Sequence, residues 1–290
     1  MTDTKRGYLF GFIGVVIFGL TLPFTRIAVA ELNPMFAAIA RTVVAAAIAL
    51  PLLLLTRQPK PQRSDLPRIA ITILGVVIGF PVLSAIAMTT VPASHGGVVL
   101  GSLPLATAAM STIFAGERPS RAFWLWALAG SAAVITFALR DGGTSVHAGD
   151  ALLVLAVLAA GMGYAAGGDL SRRLGGWQVI CWALVCALPL TVPWLLIMLS
   201  TVELHASPKA WGAFLYLSLM SQLIGFFAWN KGLALGGVAK VGQVQLLQIF
   251  VTISASALIL AEPVTLRSVV FALIVAACVW FGRKAVVKAA

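Results

Sequence analysis

The fold is decided by the stretch Gly97–Glu117, GVVLGSLPLATAAMSTIFAGE, and by a second stretch 145 positions later, Gly242–Glu262, GQVQLLQIFVTISASALILAE. Aligned without a gap as far as Val134 and Val279, the two share nine identities, which include Gly97/Gly242, Thr107/Thr252, Ser111/Ser256 and Glu117/Glu262. The offset is half of the 290-residue chain. A repeat at a fixed period sets the architecture of a protein, so we predict two repeats, residues 1–145 and 146–290.

Composition places these repeats in a membrane. Apolar residues make up 60% of the chain and charged residues 10%, which is more apolar surface than a soluble domain of this length can cover. A bilayer core of about 30 Å needs about 20 apolar residues per helix. We predict an all-α polytopic membrane protein that forms one integrated transport domain. Its helices 1 to 10 are expected at residues 7–29, 35–55, 69–88, 93–115, 121–139, 149–170, 177–199, 209–230, 239–260 and 266–285.

The basic residues predict the orientation of the helices. Fifteen of the 20 Lys and Arg residues fall on the face that carries both termini, four fall on the other face, and Arg41 lies inside helix 2. Such an excess is typical of the cytoplasmic face, so we expect both termini in the cytoplasm. Two five-helix repeats must then insert in opposite orientations, as in many carriers that work by alternating access. No basic cluster is dense enough to indicate binding of nucleic acid.

The carboxylates bear on the energy source of transport. All nine Asp and Glu residues lie at predicted helix ends or in loops, whereas carriers coupled to protons or sodium commonly keep an acidic group at membrane depth. This favours a facilitator, although backbone carbonyls or a histidine could still couple an ion. Three scattered histidines make no metal site, and three cysteines within apolar helices indicate no thiol chemistry. We expect neither a metal nor a cofactor.

Two residues each have two interpretations. Arg41 lies about 9 Å inside the outer end of helix 2, at about 1.5 Å per residue. It could hold a substrate carboxylate through two hydrogen bonds, or it could be structural, snorkelling outward or paired with a backbone carbonyl or Glu31. His95 begins helix 4 near the outer face. It could gate or titrate, or it could be a hydrogen-bonded residue at a helix end.

Polar stripes on helices 8 and 9 predict the substrate site, at the midplane between helices 3, 4, 8 and 9. At spacings of three and four, the helix 8 stripe comprises Ser218, Ser221, Gln222, Gly225 and Trp229, and the helix 9 stripe comprises Gln245, Gln248, Thr252 and Ser256. Uncharged amides suit a neutral or zwitterionic solute, although such stripes can also join helices. Pro81 and Pro104 interrupt helices 3 and 4 and free carbonyls that need a partner. The candidate substrate-binding residues are Arg41, Gly79, Pro81, His95, Pro104, Tyr164, Ser218, Gln222, Trp229, Gln245 and Gln248.

These features resemble the drug/metabolite transporter superfamily, in its ten-helix branch of two EamA-type repeats, over essentially the whole chain. The resemblance is carried by Phe18-Gly19-Leu20-Thr21, Arg41, Leu103-Pro104-Leu105, Gly116-Glu117-Arg118-Pro119 and Ala261-Glu262-Pro263. The family pattern usually has Trp where Phe18 stands, and Ile249 occupies the position equivalent to Pro104. The resemblance implies a cavity framed by helices 1, 3, 4, 6, 8 and 9. It also implies a bacterial inner-membrane exporter of aromatic and other neutral amino acids and related metabolites.

Other functions stay open as alternatives. Within the superfamily, the chain could export other small metabolites or drugs. An intramembrane enzyme would need a nucleophile paired with a base, or a set of metal ligands, and Ser94 and His95 are too close in sequence to face each other on a helix. A passive channel would want a filter loop or a charged ring. We expect a small amino-acid substrate and the lipid bilayer as partners, and a monomer would suffice for transport.

Overall fold

Ten helical rods form over the predicted apolar runs in the part of the chain that this computed structural model describes, residues 3–114, 116, 118–141, 148–284 and 287–288. Helix 1 comprises Asp3–Gly19 and Thr21–Val29, helix 2 Pro34–Leu55, helix 3 Leu66–Thr72, Ile73–Gly79 and Phe80–Ala87, helix 4 Ala93–Leu100 and Leu103–Phe114, and helix 5 Arg121–Asp141. Helix 6 is Ala148–Leu174, helix 7 Gly176–Leu199, helix 8 Pro208–Leu215, Tyr216–Ile224 and Gly225–Gly236, helix 9 Val238–Gly242, Gln243–Gln245 and Leu246–Leu260, and helix 10 Leu266–Lys284. A short 3₁₀ turn, Arg63–Asp65, precedes helix 3, and Arg118–Pro119 pairs antiparallel with Val287–Lys288.

The surface of the rods is that of a membrane protein. Eight of the described helices are long and apolar enough to cross a bilayer, and helix 10 contributes a shorter apolar segment, Leu266–Cys278. Leu55 and Leu258 are 83% and 86% exposed. Large apolar surface of this kind is unfavourable in water but not against lipid tails. The predicted all-α polytopic fold is confirmed, while Glu117, one landmark of the repeat, lies outside the described residues.

The rods pack in pairs that follow the repeat. Helix 1 packs along helix 8 and helix 6 along helix 3, whereas helix 2 packs on helix 7, helix 4 on helix 9, and helix 5 on helix 10. Exchanging each helix for its counterpart five helices away reproduces the same set of pairs. This is the arrangement that two inverted repeats related by a twofold axis require.

Glycines allow the closest of these contacts. A Cβ atom on Gly75 would lie 2.5 Å from the carbonyl oxygen of Ala159 and 2.7 Å from Cα of Gly163, and one on Gly232 would lie 2.7 Å from the backbone nitrogen of Gly11. The atoms in the way belong to the backbone and cannot rotate aside. Helices 3 and 6, and helices 1 and 8, therefore touch backbone to backbone, as small residues permit in membranes.

Helices 4 and 9 cross through two of the repeat identities. Gly97 faces Thr252, and the equivalent Gly242 faces Thr107, so each repeat offers a glycine to a threonine of the other. A Cβ atom on Gly97 would lie 2.9 Å from Thr252 Cγ2, whereas one on Gly242 would lie 3.6 Å from Thr107 Cγ2. The crossing is thus tighter at Gly97 than at Gly242.

Polar contacts join the repeats at the end of the bundle that carries the first residues of helix 1. Arg68 Nε lies 3.0 Å from Asp169 Oδ2, and Arg173 pairs with Asp65. Both ion pairs connect the start of helix 3 to the end of helix 6. They hold this end of the two repeats together beside the backbone contacts of the same helices.

At the opposite end, Glu31 joins the loop after helix 1 to the start of helix 8. Its carboxylate accepts hydrogen bonds from the backbone N–H of Ser207 at 2.6 Å and from Ser207 Oγ at 2.7 Å. The backbone hydrogen bond, followed by the hydroxyl bond and the charge of Lys209, holds the pKa of Glu31 below its ordinary value. The prediction that Glu31 could pair with Arg41 is therefore wrong, because this carboxylate is engaged at Ser207.

Candidate functional site

A narrow cavity lies between the two repeats, near the middle of the rods. Helices 1, 2, 3, 6, 8 and 9 line it with Phe18, Thr21, Arg41, Val76, Phe80, Tyr164, Ser221, Gln222, Phe226 and Gln248. The space open to water is about 10 Å³, which is room for about one water molecule. A metabolite needs more space, so the helices must separate before a solute can enter.

The cavity lies where helices 3 and 8 both widen into π-helices. Ile73–Gly79 and Tyr216–Ile224 have this geometry, and they belong to counterpart helices of the two repeats. Val76 lies in the first segment, and Ser221 and Gln222 lie in the second. Short π-helical segments are uncommon and often coincide with functional sites, which supports this cavity as the candidate site.

Pro81 explains how helix 3 and helix 8 are joined here. Proline has no N–H and so leaves a carbonyl of the preceding turn without its helical donor. The Phe80 N–H bonds the carbonyl of Gly75, so the carbonyls affected by Pro81 are the next ones, of Val76 and Val77. Thr42 Oγ1 donates to Val77 O at 3.0 Å, and Gln222 Nε2 donates to the carbonyl oxygens of Val77 at 3.3 Å and Val76 at 3.4 Å. The carbonyls beside the interruption at Pro81 are thus bound by helices 2 and 8, which fixes Gln222 at the cavity wall.

Arg41 lies among the lining residues and is 3% exposed. Its Nη2 donates to Ser221 Oγ at 3.3 Å, and Ser221 Oγ lies 2.8 Å from Thr21 Oγ1. Its Nε is buried without a hydrogen-bond partner. A side chain that snorkelled would reach the membrane surface, so this interpretation of Arg41 is wrong.

Two amide oxygens in the same cavity are also buried without a partner, Gln222 Oε1 and Gln248 Oε1. A buried polar atom that makes no hydrogen bond costs about 1–3 kcal/mol, so three such atoms around one space are a considerable cost. The site therefore offers one cationic donor group and two neutral acceptors, and none of its lining residues is acidic.

Aromatic rings form the apolar wall of the cavity. The ring centroid of Phe18 lies 5.0 Å from that of Phe226 and 6.1 Å from that of Tyr164, with Phe18 and Tyr164 stacked. Trp229 packs behind them, 5.3 Å from Tyr164, and is fully buried. Such a cluster would accept an apolar or aromatic side chain.

Four of the eleven predicted residues line the cavity: Arg41, Tyr164, Gln222 and Gln248. The other seven, Gly79, Pro81, His95, Pro104, Ser218, Trp229 and Gln245, are not among its lining residues. Ser218 Oγ donates to Phe214 O at 2.8 Å within helix 8, and Gln245 Oε1 accepts from Thr107 Oγ1 at 3.5 Å. Pro104 follows a break between the two parts of helix 4. Whether any of the eleven binds substrate stays a prediction.

Helix 4 contributes none of the lining residues, whereas helices 1, 2 and 6 contribute to the wall. Ser221 belongs to the predicted stripe on helix 8, and Phe18 and Thr21 belong to the motif on helix 1. Sequence features therefore single out these three lining residues. Val76, Phe80 and Phe226 are apolar residues in apolar helices, and the sequence pattern gives them no distinction.

A second polar cluster closes the end of the bundle opposite the first residues of helix 1. Glu262 accepts hydrogen bonds from the backbone N–H groups of Ala93 at 2.9 Å and Ser94 at 2.8 Å, which start helix 4. Arg26 donates to the carbonyls of Met88 and Val91. A carboxylate at a helix N-terminus is favourable, so this contact stabilises the join between helices 4 and 9.

His95 contributes to the same closure. Its Nε2 lies 2.7 Å from Asp150 Oδ1 in the first turn of helix 6, and both side chains are almost fully buried. Its ring packs on Phe137, with centroids 4.8 Å apart. The interpretation of His95 as a hydrogen-bonded residue at a helix end agrees with this contact, and Asp150 is a buried carboxylate that its position at a helix end did not reveal.

Comparison with known proteins identifies the transport family. The model of the EamA-like transporter family matches the chain twice, at residues 5–139 and 147–281. The chain belongs to the EamA-like transporter family. It is therefore a multi-pass membrane transporter, and the two matches agree with the two repeats of the fold. The EamA family is a transporter family and gives no support to the intramembrane enzyme.

Two relatives and one solved structure resemble this EamA chain. It is 43% identical over 292 aligned residues to an uncharacterized transporter, YdeK, of Bacillus subtilis (strain 168), covering 98% of this chain and 99% of the relative. It is 28% identical to a "probable terminal-alkyne amino-acid exporter" of Streptantibioticus cattleyicolor, over 77% of this chain and 68% of that protein. A chain known from a crystal structure has the same fold, with a TM-score of 0.67, 17% identity and 96% coverage of both chains.

Proposed function

We propose that this EamA transporter exports aromatic and other neutral amino acids, and related metabolites, across a bacterial inner membrane by alternating access. The observation that carries the proposal is the cavity between the repeats. It combines a buried guanidinium, two unpaired amide oxygens and an aromatic wall. A zwitterion that leaves water must receive replacement hydrogen bonds, and these groups offer both a donor and acceptors. The relative that is 28% identical is named as a probable amino-acid exporter, which gives further support.

We also propose that the transport is facilitated diffusion. No lining residue of the cavity is a carboxylate, and an acidic group at membrane depth is the usual site of proton or sodium coupling. The buried His95–Asp150 pair lies at one end of the bundle, away from the lining residues. A monomer has the complete cavity, so association with a second copy is not needed for this mechanism.

The test is counterflow of labelled amino acids in liposomes that contain the purified protein. Saturation by substrate and acceleration by unlabelled substrate on the opposite side are expected of a carrier. Flux that does not saturate would indicate a channel, and failure to move any neutral amino acid would refute the proposed substrate class. Flux that vanishes without an imposed ion gradient and returns with one would refute facilitated diffusion, and Asp150→Asn would then be the first variant to examine.

A further inference from the structure

The environment of Arg41 is unusual for a buried cation. Arg41 is 3% exposed, its guanidinium donates one long hydrogen bond to Ser221 Oγ, and its Nε has no partner. The residues that line the cavity with it provide hydroxyls, amides and aromatic rings but no carboxylate. Burying a charge without a counter-ion is costly, and charges kept inside a membrane usually serve function.

The unpaired Nε of the guanidinium favours a particular kind of partner. Nε and one Nη of an arginine form a planar fork that matches the two oxygens of a carboxylate. In this structure Nη2 is engaged by a hydroxyl at 3.3 Å, which a carboxylate could replace with a stronger, charge-assisted bond. The incomplete set of hydrogen bonds at Arg41 therefore favours an anionic group with two acceptor oxygens.

The remaining unpaired atoms have the opposite preference. Gln222 Oε1 and Gln248 Oε1 are acceptors, and the Gln222 side chain is already fixed, because its Nε2 donates to the carbonyls of Val76 and Val77. Fixing the nitrogen leaves the oxygen as the free group of this amide. Acceptors without a formal charge suit an ammonium group, which has three donors and no acceptor.

We propose that Arg41 binds the α-carboxylate of the transported solute and that the amide oxygens of Gln222 and Gln248 bind its α-ammonium group. This inference rests on the proposed function and adds a criterion by which the transporter selects its substrates. The site requires a free carboxylate and rejects amides and decarboxylated amines that keep the same side chain. The rings of Phe18, Tyr164 and Phe226 hold the side chain of the solute and tolerate variation in it.

The experiment compares L-phenylalanine with L-phenylalaninamide, which differs in the carboxylate, for binding to purified protein and for competition with labelled L-phenylalanine in counterflow. L-leucine is measured as a second probe. Loss of a charge-assisted pair is expected to weaken binding of the amide about ten- to a hundredfold relative to the amino acid. This comparison uses the wild-type protein, so it does not depend on the folding of a variant.

Arg41→Gln is expected to weaken L-phenylalanine binding by a similar factor and to abolish the preference for the amino acid over the amide. Arg41→Lys, which keeps the charge but loses the fork, should give an intermediate preference. Arg121→Gln, at an exposed arginine at the start of helix 5, is the control and should keep the wild-type preference. Because Arg41 makes no described ion pair, Arg41→Gln should melt no lower than the wild type, whereas a structural arginine would lower the melting temperature on removal.

The outcomes separate the two proposals. Equal binding of amino acid and amide by the wild type, or a preserved preference in folded Arg41→Gln, overturns the role of Arg41 and leaves amino-acid export standing. A carboxylate preference that depends on Arg41, without transport, supports the role of Arg41 and refutes export. Binding of neither L-phenylalanine nor L-leucine overturns both.

Discussion

Gln222 donates a hydrogen bond to the carbonyl of Val77 and so ties helix 8 to helix 3, its counterpart in the other repeat. Helices related by a twofold axis lie at equal distances from it on opposite sides, so counterpart helices that touch do so beside the axis. The axis of the two inverted repeats therefore passes by the wall of the cavity. A site on this axis stays in place while the repeats move around it, as alternating access requires.

Gln248→Leu tests the amide acceptors of the cavity. The change keeps a similar volume and removes an oxygen that has no partner within the protein. If that oxygen binds substrate, loss of one hydrogen bond of about 1–1.5 kcal/mol weakens apparent affinity in counterflow about five- to tenfold. Gln243→Leu is the matched control, since Gln243 is also buried in helix 9 but does not line the cavity. Equal effects of the two variants would contradict the assignment.

Thr42→Val and Gln222→Leu test the shared acceptor at Val77. Each variant leaves the other donor to the Val77 carbonyl. Thr42→Val should lower the free energy of unfolding by about 0.5–1.5 kcal/mol, and Gln222→Leu should lower it less, because that change also removes the unpaired Oε1. The double variant leaves that buried carbonyl without either donor, and its loss should exceed the sum of the single losses by about 1 kcal/mol. The measurement is reversible unfolding in detergent. Simple additivity of the two losses would show that the hydrogen bonds act separately.

Gly75→Ala tests the backbone contact between helices 3 and 6. A methyl group there would meet the Ala159 carbonyl and the backbone of Gly163, and such overpacking should destabilise the protein by about 1–3 kcal/mol. Gly212→Ala is the control in helix 8, because a Cβ at Gly212 meets nothing within 4 Å. Alanine is the better helix former, so this variant should be neutral or more stable by up to about 1 kcal/mol. A thermal melt of Gly75→Ala that matches the wild type would refute the close contact.

The orientation in the membrane is tested with single cysteines in a protein from which Cys181, Cys186 and Cys278 have been removed. His205→Cys, exposed in the loop before helix 8, should react with an impermeant reagent from the periplasm, and Lys60→Cys, exposed before helix 3, should react in inverted vesicles. The distribution of fifteen basic residues against four predicts this pattern. The reverse pattern would overturn the predicted topology. The same distribution predicts that residues 140–148 face the periplasm, and Thr144 in that stretch lies outside the described residues.

Glu31 gives the protein a dependence on pH at one end of the bundle. Ser207 holds the pKa of this carboxyl below its ordinary value of 4.5, so the ionised form stabilises the folded state above that pH. The contribution is lost as the pH falls through the lowered pKa. Glu31→Gln should therefore melt below the wild type at neutral pH, and the difference should close in acid. Glu203→Gln, an exposed change in the loop that leads to Ser207, is the control, and a difference that persists in acid would contradict the role of the charge.

Sequence periodicity predicted the ten helices and their order well, because apolar length and the position of charges reflect the bilayer directly. It predicted the cavity less completely. Gln222 and Gln248 were found by their spacing along one helix face, but Ser218 and Gln245 share those faces and bond elsewhere. Spacing along one helix does not show which turn of the helix meets the cavity, since that depends on how six helices pack.

Prolines illustrate the same limit. The sequence predicts that Pro81 frees a carbonyl in helix 3, but it does not show that Thr42 and Gln222, on two other helices, donate to the carbonyl of Val77. Asp150 was counted as a carboxylate at a helix end, and its burial against His95 depends on the packing of helix 4 on helix 6. A sequence shows which groups need partners, whereas the three-dimensional packing decides which partners they meet.

The contacts of Gly97 and Gly242 are unequal, although the two glycines occupy equivalent positions of the repeats. If the repeats exchange conformations during the cycle, the tight crossing passes from Gly97 to Gly242. A methyl group on Gly97 would then disfavour the state described here, and a methyl group on Gly242 would disfavour its counterpart, since 3.6 Å is an ordinary contact and 2.9 Å is not. The two alanine variants would shift the carrier towards opposite conformations, and each conformation could then be isolated for structure determination.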